Sequence, residues 1–327
     1  MPDQDDDNRK PATVTRRFRF LCEYLLVFGW TFGLRLLPRR AALCWGTVLG
    51  TGAYFLLRSD RRVAMANLDI VFGDRRSIWF KRELALETFQ RIGEVMMGLL
   101  WAPRLDRRLV ARLVDGEAFL QTLRQLDASH RGVVIVTPHY GDWELACIAG
   151  GFAGYPMVSV AEPLANERID RLLTECRTSS GNGIIPPKYA LLKLVRALRS
   201  GQRVGLLCDV NGRRGRGGVW NQFFGLAIYN GVAMAELALR TKSAIVFVAA
   251  EPLRDGRLHI RSTLLDPVST ADRADDIRRV TQDVTNLVEE QVRRNPRPWL
   301  WTYKRWKRRP TEARNPYPHY SNYKRVE

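Results

Sequence analysis

The spacing of apolar positions changes character once along the chain, at Gly132. Upstream of it, from residue 18 to about 128, apolar residues recur every three or four positions. Within 77–101, for example, Ala85, Phe89, Ile92, Met96 and Leu99 form one face of a helix. Two longer apolar stretches precede that segment. Residues 20–37 are interrupted by Glu23 and Arg35, and residues 41–57 carry no charge. A full membrane span needs about 20 apolar residues, so each is marginal. A hairpin through the bilayer would put Arg39 and Arg40 on the far side, against the positive-inside tendency. One span or one interfacial helix is therefore expected rather than a hairpin. Ala42, Gly46 and Gly50 form a strip of small residues that permits close helix contact.

Downstream of Gly132 the pattern becomes short β-branched runs. Residues 132–137 read as a buried parallel strand, and similar runs recur at 156–160, 183–185, 203–208 and 244–249. Helical patterns at 143–153, 165–180, 188–200 and 229–241 separate them. A late strand near 258–264 and a helix over 272–294 complete the set. This alternation predicts an α/β fold: a mostly parallel central sheet flanked by helices, behind a helical N-terminal region. The expected organisation is a loose tail over 1–17, a membrane-associating helical region over 18–57, a catalytic domain over 58–310 and a C-terminal tail over 311–327.

Charge changes the picture next. The 327 residues include 52 Lys and Arg against 34 Asp and Glu, a net charge of +18. An anionic membrane, an acidic protein or nucleic acid would each suit that field. The hydrophobic fraction of 46% excludes a disordered chain. The acidic start, with Asp5, Asp6 and Asp7, is unlike a cleavable signal peptide. The five cysteines are far apart and form no Cys-x-x-Cys, so neither a zinc ribbon nor a dithiol redox site is encoded. The four histidines are too scattered for a metal centre. P-loop, Gly-x-Ser-x-Gly and His-Glu-x-x-His patterns are absent. The glycine- and arginine-rich stretch 212–218 reads as a basic loop inside a folded domain, although an RNA-binding element shares its composition.

Chemistry concentrates in Thr137-Pro-His-Tyr-Gly-Asp-Trp-Glu144. Pro138 ends the strand, Gly141 allows a tight turn, and Asp142 can cap the next helix. Glu144 then lies in that helix's first turn, where the helix dipole favours a carboxylate. A strand-to-helix bend can aim His139 and Glu144 into one cleft at the carboxyl end of the sheet. A neutral imidazole there can take a proton from an alcohol, and a carboxylate on its other nitrogen would fix the tautomer. The sequence assigns these roles to His139 and Glu144. No serine stands beside them, so direct activation of a substrate hydroxyl is the simplest use. Cys147, one turn on, reads as a buried, inert thiol.

His139-x-x-x-x-Glu144 resembles the His-x-x-x-x-Asp/Glu motif of glycerolipid acyltransferases. The surrounding pattern is similar to that of the lipid A biosynthesis acyltransferases, the lauroyl- and myristoyl-type enzymes. The resemblance runs from about Asn67 to Pro310. Met65-Ala-Asn-Leu-Asp-Ile-Val-Phe72, Arg177-Thr-Ser-Ser-Gly181, Cys208-Asp-Val-Asn211 with Phe223-Phe-Gly225, and the closing stretch from Pro298 to Pro310 follow in the family's order. Val210 stands where glutamine is usual, Tyr303 where histidine is usual, and Lys304 replaces an arginine, with loss of bidentate geometry toward phosphate. Phosphatidylinositol mannoside acyltransferases share the same architecture.

What the resemblance implies is transfer of an acyl group from a thioester on acyl carrier protein or coenzyme A to a hydroxyl of a membrane glycolipid. The expected setting is the cytoplasmic face of a bacterial inner membrane. His139 is the expected base, oriented by Glu144. Arg177 is expected to meet the oxyanion or an acceptor phosphate, and Asp209 to orient Arg177 or bind an acceptor hydroxyl. Asn211, Lys304 and Arg305 are further substrate-binding candidates. No cofactor, metal or nucleic acid is expected; the partners are the glycolipid, the carrier or coenzyme and an anionic bilayer. Trp299, Trp301, Tyr303 and Trp306, interleaved with basic residues, suit a headgroup boundary or an aromatic segment packed on the domain. Two alternatives remain: an acyltransferase for another acceptor, such as a phosphatidylinositol mannoside, a lysophospholipid or an amino-lipid, and a non-enzymatic binder of anionic lipid or RNA.

Overall fold

A computed structural model describes residues 14–188, 190–212, 217–313 and 316–323. The glycine-rich loop expected at 212–218 lies mostly outside these residues, as does most of the N-terminal tail. The chain begins with helices α1 (Val14–Leu36), α2 (Arg39–Leu56), α3 (Arg58–Phe72), α4 (Ile78–Trp101) and α5 (Arg107–Leu113). A short strand β1 (Val114–Asp115) and helix α6 (Glu117–Ala128) lead into the alternating part. There β2 (Val133–Thr137), α7 (Trp143–Phe152), β3 (Met157–Val160), α8 (Glu167–Thr178), β4 (Gly183–Ile185), α9 (Ala190–Arg199) and β5 (Arg203–Leu207) follow in turn. A hairpin of β6 (Val219–Phe223) and β7 (Leu226–Asn230) interrupts the alternation. Next come α10 (Ala233–Thr241), β8 (Ala244–Pro252), β9 (Leu258–Leu265) and α11 (Arg273–Arg294). Two two-residue strands, β10 (Arg308–Arg309) and β11 (Asn322–Tyr323), pair near the end.

Seven strands form one sheet in the order β1-β9-β8-β2-β5-β3-β4. All neighbours are parallel except β8 and β9. The central strands are buried on both faces, and their period of two divides the core. Val134, Val136, Ile245 and Phe247 pack with α9, α10 and α11, whereas Val133, Ile135, Val246 and Val248 pack with α6, α7 and α8. The predicted α/β architecture is the observed one. The exception is 229–232, expected to begin a helix. Those residues close the β6–β7 hairpin and its exit, while α10 starts at Ala233. The hairpin turns at Phe224 and Gly225, both with positive φ, at +50° and +77°. That pair gives the backbone twist suited to a two-residue hairpin turn.

None of the helices among the described residues is long and apolar enough to cross a membrane. The single-span alternative is therefore dropped. The strip in α2 does make a close helix contact: Ala42, Gly46 and Gly50 are buried, and α2 packs on α4. A Cβ on Gly50 would lie 2.3 Å from the Phe89 carbonyl oxygen, and one on Gly46 would lie 2.6 Å from the Gly93 backbone. Gly50→Ala should therefore lower the urea unfolding free energy by about 1–3 kcal/mol through forced separation of the helices. Gly52→Ala on the same helix, where a Cβ meets nothing within 4 Å, should leave the midpoint unchanged or raised. Equal midpoints for the two variants would contradict the close packing.

Candidate active site

The site sits where β2 and β5 end side by side. Their parallel register pairs Thr137 with Leu207, so residues two positions beyond each strand emerge together. These are His139 and Asp209. His139 Nδ1 lies 2.8 Å from Asp209 Oδ1, and the backbone N–H of His139 donates to Asp209 Oδ2 at 2.9 Å. The indole of Trp299 donates to the same Oδ2 at 3.1 Å. Asp209 is almost fully buried, with 2% exposure. Burial alone would raise its pKa, but the imidazole of His139 and the guanidinium of Arg305 outweigh that and lower it. An ionised Asp209 can only accept, so the proton of neutral His139 sits on Nδ1 and the Nε2 lone pair is free. No group among the described residues is bonded to Nε2. Burial would likewise lower the pKa of the imidazole. The charge and hydrogen bond of Asp209, with the field of Glu144, outweigh it and hold the group above its ordinary value.

The turn between His139 and α7 is fixed from several sides. Gly141 has φ +63°, and a Cβ there would fall 1.6 Å from the Ala250 carbonyl oxygen, so only glycine fits. Its N–H donates to Pro298 O at 3.0 Å, and Leu300 N–H donates to His139 O at 3.0 Å. Asp142 caps α7 through the Leu145 N–H at 3.0 Å. Burial pushes the Asp142 carboxyl up to about 6, against the Leu145 N–H and Arg39, whose guanidinium is 3.7 Å away on α2.

Glu144 lies in the first turn of α7, as expected, but it does not orient the imidazole. Its carboxylate holds Arg177, with Oε1 at 2.7 Å from Nη2 and 3.1 Å from Nε. The expected His139–Glu144 pair is therefore corrected to His139–Asp209 and Glu144–Arg177. The expectation that Asp209 orients Arg177 or binds an acceptor hydroxyl is corrected with it, because its oxygens are buried and committed to His139 and Trp299.

Glu144 and Arg177 border a cavity of about 460 Å³. Its walls are mostly apolar, among them Phe119, Ile135, Ile148, Met157 and Val248. Trp143 also lines it and meets the His139 ring edge-on, with centroids 5.1 Å apart. Cys147 lines the wall too, and burial pushes its thiol up to about 12, which leaves no thiolate nucleophile. At the mouth, Leu164 and Leu207 are exposed. Helix α1 contacts the start of α8, where Asn166, which caps that helix, donates to Phe20 O at 2.8 Å.

The closing aromatic stretch runs beneath the site. Trp299, Trp301 and Trp306 are buried at 1%, 0% and 0% exposure; Trp299 and Trp306 pack with Phe223, and Trp301 with Trp299. A headgroup-boundary role for these tryptophans is excluded by that burial. Arg305 is corrected as well. It is 2% exposed, lies over the Phe223 ring, and donates to Asn211 Oδ1 at 3.3 Å and to Asn230 Oδ1, so it supports the protein rather than a substrate. Asn211 is half-buried and donates through Nδ2 to Lys304 O at 2.9 Å. Lys304 is exposed. Asn67, from the Asn-Leu segment, donates to Trp301 O and Tyr303 O at 2.7 and 2.8 Å and pins this stretch under His139. The imidazole-orienting role of Asp209 and the scaffold role of Arg305 were missed because both depend on which strands become neighbours.

Among the described residues, no group of His, Cys, Asp and Glu could hold a metal ion. The arrangement can deprotonate a hydroxyl at Nε2 beside an apolar cavity whose lining includes a guanidinium.

Comparison with known proteins agrees with that chemistry. The family model of the bacterial lipid A biosynthesis acyltransferase matches residues 12–308. A lipid A biosynthesis palmitoleoyltransferase of Escherichia coli (strain K12) is 25% identical over 275 residues, 82% of this chain and 86% of the relative. A lipid A biosynthesis lauroyltransferase of the same organism is 25% identical over 270 residues, 81% of this chain and 85% of the relative. A lipid A biosynthesis acyltransferase of Haemophilus influenzae is 26% identical over 309 residues, 90% of this chain and 96% of the relative. The non-enzymatic alternative is set aside on these matches. With the five sequence segments in order and this site at the sheet's carboxyl edge, the chain belongs to the bacterial lipid A biosynthesis acyltransferase family, and it is an acyltransferase.

Proposed function

We propose that this protein transfers a fatty acyl group from a thioester, on acyl carrier protein or coenzyme A, to a hydroxyl of a lipid A precursor. The observation that carries this reading is the free Nε2 of His139, set by buried Asp209 beside the mouth of an apolar cavity. The acyl chain occupies that cavity. His139 Nε2 takes the proton of the acceptor hydroxyl as its oxygen bonds to the thioester carbonyl carbon. The carbonyl becomes a tetrahedral oxyanion, and Arg177, held by Glu144, supplies N–H donors to it. Collapse breaks the carbon–sulfur bond, and the leaving thiolate takes the proton from the imidazolium. The products are an ester and a thiol.

The protein works on the cytoplasmic face of the inner membrane, docked through α1 and α2. Leu26, Phe32, Leu36, Phe55 and Leu56 expose between 62% and 80% of their surface there. Such a patch suits the interfacial zone of a bilayer. Arg16, Arg17 and Arg19 at its end are exposed and suit anionic headgroups. Because α1 contacts the start of α8 two residues beyond the exposed lining residue Leu164, docking brings that side of the cavity toward the lipid. Val210, Tyr303 and Lys304 favour a second reading, in which the acceptor is a different glycolipid.

Purified protein, given a fatty acyl thioester of acyl carrier protein and a lipid A precursor, should yield a product one ester-linked chain heavier. His139→Ala should yield none above background. Transfer by His139→Ala at the wild-type rate would refute the assigned base, and no transfer by the folded wild type to any glycolipid offered would refute the activity.

A further inference from the structure

The imidazole of His139 has two aromatic neighbours, and they mark two sides of the site. Trp143 belongs to the cavity wall. Tyr303 packs against the imidazole in a nearly parallel arrangement, with ring centroids 6.4 Å apart and planes inclined by 26°. Tyr303, Asn211 and Lys304 do not border the cavity. If the acyl chain fills the cavity, the side of His139 bearing Tyr303 is left for the acceptor.

Hydrogen-bond direction then gives Tyr303 a task. Its phenolic oxygen accepts the backbone N–H of Asn211 at 2.9 Å. A phenol can accept and also donate one proton. Among the described residues nothing receives the Tyr303 proton. The residue is partly exposed, so the proton is available to a ligand. Its backbone is fixed: Tyr303 O accepts from Asn67 Nδ2 at 2.8 Å and from Arg305 N–H at 2.8 Å. The next residue, Lys304, presents an exposed side chain with no ion pair among the described residues. A directed O–H donor next to a free ammonium suits a sugar that carries oxygen acceptors and a negative charge.

We infer that Tyr303 is an acceptor-side catalytic residue: its O–H donates to an oxygen of the incoming glycolipid sugar and sets the attacking hydroxyl on His139 Nε2. This rests on the acyltransferase reading above and adds a specific contact to it. The hydrogen bond forms only with the acceptor in place, so its loss should fall on acceptor kinetics.

The test compares wild type, Tyr303→Phe and Tyr303→His, with dodecanoyl acyl carrier protein as donor and a diphosphorylated lipid A precursor as acceptor. Tyr303→Phe should lower kcat/KM for the acceptor by about 10- to 100-fold, the range for one hydrogen bond to a reacting or charged group. The KM for the donor should stay within about twofold of wild type, and the melting temperature should fall by no more than about four degrees, the cost of the lost acceptor for the Asn211 N–H. Tyr303→His keeps an N–H donor and should recover part of the loss. Full acceptor kcat/KM in Tyr303→Phe would overturn the assignment. So would equal losses on donor and acceptor with a lowered melting temperature, which mark a structural role. Absence of transfer by wild type would strike the acyltransferase reading itself.

Discussion

Asp209→Asn should lower acyl transfer by about 10³- to 10⁴-fold while the protein stays folded, an effect of the size seen when a histidine base is held in the wrong tautomer. Asp209 Oδ2 already accepts two N–H donors, from the His139 backbone and the Trp299 indole. An asparagine would place its carbonyl oxygen there and turn its NH₂ toward Nδ1 of the imidazole. Nδ1 would then have to accept, and the ring proton would move to Nε2, the atom that must take the substrate proton. The pH profile supplies a second readout. The wild-type base works only when deprotonated, and its pKa is held above the ordinary 6.5. The acidic limb of the rate should therefore lie above pH 6.5, with activity rising as pH rises through it. Removing the Asp209 charge should move whatever activity remains to a lower-pH limb. Glu144→Gln should cost less than Asp209→Asn and should leave the tautomer intact, since Glu144 acts on Arg177. The opposite order of the two variants would contradict the pairing.

The second large effect is on stability. Arg305→Met should destabilise the fold by about 3–5 kcal/mol, the range for breaking a buried charged network from one side. Arg305 is buried among Asn211, Asn230 and Phe223. Its loss strips the acceptors of both asparagines and removes a positive field from Asp209. Burial itself lowers the pKa of this guanidinium, with Asp209 opposing, so the site bears a real desolvation cost. Arg305→Lys should recover little, because one ammonium on a flexible stem cannot reproduce two fixed N–H directions. Chemical denaturation with ligand absent measures both. A loss below about 1 kcal/mol for Arg305→Met would show that the network contributes little.

Six of the seven strands of the main sheet and most helices were legible because a period of two and a period of 3.6 are local properties. The run 132–137 could be read as β2, and 272–294 as α11, from a few residues each. The turn carrying His139 was legible for the same reason, since Pro138, Gly141 and Asp142 lie within it. The partner of His139 was not. It emerges from β5, separated from His139 by seventy positions, and only the sheet order brings the strands together. Glu144 is near in sequence and so drew the assignment, yet the helix turns it toward Arg177 on α8. The β6–β7 hairpin was hidden because Phe224 adopts a positive φ that composition does not announce. The tryptophans at 299, 301 and 306 have the spacing and basic neighbours of a membrane boundary. Their burial follows from contact with Phe223 and Asn67, which sit in distant parts of the chain.

The most direct measurement of the central claim is lipid mass spectrometry of the source cell with the protein deleted, complemented by wild type or by Asp209→Asn expressed at equal level. The account predicts that the deletion accumulates a lipid A precursor lighter by one acyl chain, that wild type restores the heavier species, and that Asp209→Asn does not. An unchanged lipid profile in the deletion, or full restoration by Asp209→Asn, would contradict it.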